Sequence, residues 1–144
     1  MLVVKLKLHE YIINFPAAGS KALTSLPAVD QTQVSKYAGQ EVLNGPQAKV
    51  FADNYIAVHL SEVAGGQTYS EVSTQSLANP TNVTLQNEAN TLFKGETLRG
   101  LLLGDAYAFW TVGYIAKIVA YVAFVAGAVM AVLVLVSLGH LRKL

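Results

Sequence analysis

The residues whose types and spacing could do chemistry are His59 and Glu62, with Asp53 six positions before the histidine. Positions three apart share one face of a helix. An imidazole and a carboxylate on one face could hold a divalent ion such as zinc, but a closed site needs further ligands. His9 or Glu71 would have to supply them from elsewhere in the chain. The alternative is an ordinary amphipathic helix with a half-buried histidine and solvated carboxylates, which requires nothing more. The expectation is therefore no resident metal or cofactor, with His59 and Glu62 as the metal candidates.

Other chemistries find less support. The chain has no cysteine, which excludes disulfides, thiolate metal sites, iron–sulfur clusters and a cysteine nucleophile. Serine and histidine are present, but no G-x-S-x-G elbow occurs, and there is neither a Walker A motif nor a GxGxxG turn. Net charge is +1, and the ten Lys and Arg form no basic block, so nucleic acid is not an expected partner. Asn82-Val83-Thr84 has the form of an N-glycosylation acceptor, which matters only in a eukaryotic secretory setting. Glu96 and Arg99 are spaced to form a surface ion pair worth a few tenths of a kcal/mol. The chain is not expected to be an enzyme.

The elements that must position these residues point to a membrane. Residues 118–139 read IVAYVAFVAGAVMAVLVLVSLG, 22 residues without a charge. As an α-helix they cover roughly 33 Å, the thickness of a bilayer's hydrocarbon core. A helix satisfies every backbone N–H and C=O within the segment, as lipid demands. Across the whole chain 53% of residues are hydrophobic and 13% charged. That charged share is about half the usual one of roughly 25%, as expected when much of the chain avoids water.

The remainder reads as short helices. Residues 1–26 form an amino-terminal arm and linker: Val4, Leu6 and Leu8 alternate with Lys5, Lys7 and His9 as in a strand. Those charges also interrupt any signal-peptide core. Residues 16–30 are rich in Pro, Gly, Ser and Ala. A small helical extramembrane region spans 27–95. It begins with a short helix from about Pro27 to Tyr37. A turn at Asn44-Gly45 then leads into a helix with Pro46 in its first turn. Ala48, Phe51, Tyr55, Val58 and Glu62 fall on one stripe and Ala52, Ile56, Leu60 and Val63 on the next, a wide apolar face. Lys49, Asp53, Asn54 and Ser61 fall mostly off that face. Gly65-Gly66 ends the helix. Thr68-Tyr69-Ser70-Glu71 is a capping box opening a helix that stops before Asn79-Pro80. Thr81-Asn82 opens another, which Gly95 is expected to break and Glu96 to restart.

A juxtamembrane helix occupies 96–117, the transmembrane helix 118–139 and a basic tail 140–144. Residues 101–139 together would make roughly 58 Å of helix, too long for one span. A span beginning near Ala106 would bury Lys117 at about 2.5–3.5 kcal/mol. A span of 118–139 carries no such cost and is preferred. Trp110, Tyr114 and Lys117 then anchor one interface, and Arg142 and Lys143 the other. Leu101, Leu102, Leu103, Phe109 and Trp110 would lie outside the lipid and require cover, from the chain's own helical region, the interface or a partner. Gly100, Gly104 and Ala108, then Ala123, Gly127 and Ala131, repeat small residues four apart, a spacing that lets helices approach closely. The basic tail favours a cytoplasmic carboxyl end, although Lys94, Arg99 and Lys117 oppose it.

The fold class expected is all-α, a small helical region followed by one long carboxyl-terminal transmembrane helix in the cell membrane. The function expected is that of a single-pass accessory subunit of a larger multi-subunit membrane complex. By analogy of size alone, a bacterial respiratory or oxidase-type assembly is the type in view. Its partners would be the lipid bilayer and other membrane-protein subunits. The alternatives are a metal-binding or redox-assisting membrane protein using His59, and a helix that self-associates through Gly127 into a homo-oligomer.

Overall fold

The computed structural model describes residues 13–142. The strand-like arm at Val4, Leu6 and Leu8 and the anchor Lys143 lie outside the described residues. The chain divides into two compact units, Met1–Ala108 and Phe109–Leu144.

The first unit is helical, with no strand among the described residues beyond one isolated antiparallel bridge, Asn14 to Glu41. Helix α1 (Lys21–Thr24) starts where the Ser20 side chain accepts the Leu23 N–H. Residues 16–26, read above as linker, thus contain one helical turn, and Leu23 and Leu26 are buried. Two apolar side chains were enough to draw the Ser- and Ala-rich segment onto the core. Helix α2 (Ala28–Ser35) follows and buries Val34.

Asn44 caps α3 (Gly45–Val50), its side chain accepting the Gln47 N–H, with proline in the first turn. The helix continues through a π-helical turn, Phe51–Ile56, into α4 (Ala57–Glu62). The stripe residues Ala48, Phe51, Ala52, Ile56 and Leu60 are all buried. Phe51 meets Phe15 edge to face at 5.2 Å and Tyr55 at 5.0 Å. A π-turn carries more residues per turn than an α-helix. It thereby brings Asp53 and Asn54, expected off the buried face, to neighbouring helices: Asn54 donates to Asp30 of α2 at 2.8 Å. Beyond α4 the chain turns through left-handed Ala64, Gly65 and Gly66.

Thr68 and Glu71 form the expected capping box for α5 (Tyr69–Ala78). The Thr68 backbone N–H donates to the Glu71 carboxylate at 2.7 Å and holds its pKa below the ordinary value. Asn82 caps α6 (Val83–Leu101), which packs on α5 and α4. The expected break at Gly95 does not occur. A single glycine costs a helix about 1 kcal/mol, and here it makes room for a neighbour. A Cβ at this position would overlap Leu60 Cδ2 and lie 3.1 Å from Leu60 Cδ1. A second π-turn, Leu102–Tyr107, packs on α3 and buries Leu102 in the cluster containing Ala48 and Phe51.

The second unit is one helix, essentially all of α7 (Ala108–Leu141), with no buried residue and every side chain but the half-buried Thr111 exposed. The helical backbone from Val83 to Leu141 is the one candidate among the described residues long and apolar enough to cross a membrane. Trp110 and Tyr114 stack at 5.3 Å, and Lys117 Nζ sits 5.8 Å from the Tyr121 ring.

Candidate interaction site

The most organised polar group in the first unit is one that sequence spacing did not assemble. Lys49 of α3 and Asp53 of the first π-turn are four apart and pair at 2.5 Å. Arg99 of α6, 46 residues further along the chain, reaches the same carboxylate at 3.3 Å. Its other terminal nitrogen lies 3.7 Å from Glu96, the expected i,i+3 pair, while its Nε is buried without a hydrogen bond. Lys49 Nζ also sits 5.6 Å from the centre of the Tyr107 ring.

Asp53 has 29% of its side chain exposed and Arg99 35%. Burial alone would push the Asp53 pKa up. The hydrogen bond and charge of Lys49, then those of Arg99, outweigh burial and hold it below the ordinary value. The hydrogen bond that Lys49 donates to the Asp53 carboxylate, and that carboxylate's charge, raise the Lys49 pKa correspondingly. Two acids and two bases balance here with no nucleophile paired to a base. The arrangement is suited to clamping α3 to α6 rather than to activating a substrate.

The metal candidates are not brought into such a cluster. His59 Nδ1 donates to the Tyr55 carbonyl at 2.8 Å, and the two rings lie 4.4 Å apart. Glu62 is exposed at the end of α4. No group of three His, Asp or Glu side chains among the described residues could hold a metal ion. A groove of about 510 Å³ between α5 and α6 is lined by Tyr69, Leu77, Gln86 and Phe93 among others, none of them charged.

The small-residue positions form bare surface. A Cβ added at Gly100, Gly104 or Gly127 would meet nothing within 4 Å, and Ala108, Ala123 and Ala131 are exposed. The expected apolar collar divides into two. The folded unit covers Leu102, 6% exposed, and partly covers Leu103; it leaves Leu101 at 53%. In the second unit Phe109, Trp110 and Tyr114 are exposed, as are Lys117 and Arg142. Comparison with protein-family models, with curated proteins and with solved structures finds no match.

Proposed function

We propose that this chain is a single-span accessory subunit of a larger membrane-protein complex, held to lipid by α7 and to partner subunits by the helix preceding it. The observation that carries the reading is the division of the collar. The chain's own core takes up Leu102, while Leu98, Leu101 and the bare backbone at Gly100 and Gly104 stay uncovered. Exposed apolar surface beside a candidate span marks an interaction site. Close backbone approach at small residues favours a helical partner. A respiratory or oxidase-type assembly in a bacterial membrane is the type of complex suggested by chain size alone.

Gentle detergent extraction followed by native mass measurement tests the reading. The expected outcome is the chain within a hetero-complex. A lone monomer would count against it, and a homo-oligomer lost on Gly127→Leu would favour self-association instead.

A further inference from the structure

On the uncovered face the single charge is Asp105. It lies in the π-turn Leu102–Tyr107, exposed, between Gly104 and Ala106. Its side chain makes no hydrogen bond or ion pair among the described residues. Cations of the same unit do stand nearby along the chain and in the fold, but they are already committed. Arg99 holds Asp53 and Glu96; Lys49 holds Asp53 and faces Tyr107. The turn itself is fixed from the other side, because Leu102 is buried in the core. Asp105 is thus presented at a set position on a rigid helix, beside Leu101 and two glycines.

We propose that this face, Leu98, Leu101, Gly104, Asp105 and Ala108, docks an apolar helix of a different protein that carries a Lys or Arg opposite Asp105. This rests on the accessory-subunit reading and names the partner's chemistry. Desolvating a carboxylate within an apolar contact is unfavourable unless a cation meets it, so complementary charge selects the partner. A second copy of this chain does not supply one. Copies inserted the same way up pack in parallel, and across Gly100 and Gly104 the two Asp105 carboxylates would adjoin and repel. Along its own helix the nearest cation, Arg99, ~9 Å from Asp105, is held by Asp53 and Glu96, and the next before it, Lys94, is ~16 Å away.

A photo-crosslinking residue at Leu101 of the full chain in native membranes tests this, with adducts mapped by mass spectrometry. The expected adduct is a different protein, joined through an apolar segment containing a Lys or Arg. Asp105→Asn should lower its yield roughly five- to tenfold, and Asp105→Glu should largely preserve it. Unchanged helical circular dichroism of both variants would show that folding is intact. A hetero-adduct insensitive to Asp105→Asn, or one lacking a cation, overturns the charge assignment and leaves the accessory-subunit reading standing. Adducts only to a second copy or to lipid overturn both.

Discussion

At the scale of single residues, Asp53 joins two helices through two cations and gives the fold a definite response to acid. Its carboxyl has a depressed pKa in the folded chain. Such a group adds stability above its unfolded value, and that stability is lost as pH falls through the folded value. Glu71 is depressed too, so the informative quantity is a difference between chains. Asp53→Asn should cost about 1–2 kcal/mol at neutral pH, since it strands Arg99 in a half-covered position. The gap between wild type and variant should then shrink as pH drops below the ordinary carboxylate value of 3.8. Thermal unfolding in micelles over about pH 2 to 7 measures it; a gap that stays constant would mean the ion pairs contribute nothing.

At the scale of elements, capping and packing make separate demands. The capping box of α5 uses exposed groups, and Thr68→Ala should cost about 1 kcal/mol. Faster amide exchange confined to the first turns of α5 would be its signature, and uniform loosening would not. Gly95 presents the opposite case. Glycine to alanine in an open helix should stabilise by about 1 kcal/mol. Here the added Cβ runs into Leu60, which is itself buried, and overpacking of that kind costs about 1–3 kcal/mol. Gly95→Ala should therefore destabilise on balance, and Leu60→Ala should make the second change milder than the sum of the two. A stabilising Gly95→Ala would show that Leu60 yields freely.

At the scale of the whole molecule, one apolar helix decides where the chain resides. Val129→Lys places a charge near the middle of 118–139 and should cost about 2.5–3.5 kcal/mol of insertion. Retention of the protein in alkaline-washed membranes should fall accordingly. Lys117→Leu should leave retention unchanged, because Lys117 stands at the edge of that window. Equal retention of Val129→Lys would mean that this segment does not lie in hydrocarbon.

What was legible in the sequence is whatever depends on neighbours along the chain. The capping box at Thr68, the glycine stop after α4, the stripe from Ala48 to Leu60 and the long apolar helix all follow from local periodicity and backbone hydrogen bonding. The i,i+3 pair of Glu96 and Arg99 belongs with them. Only the tertiary structure decided that Arg99 reaches Asp53, that Gly95 continues a helix, and that Leu23 and Leu26 leave a linker for the core. It also decided which collar leucine is covered and which is bare. These outcomes turn on contacts between residues far apart in the chain and on two π-turns that shift helical register. A 3.6-residue period carries no record of either, because such turns are selected by how whole helices pack.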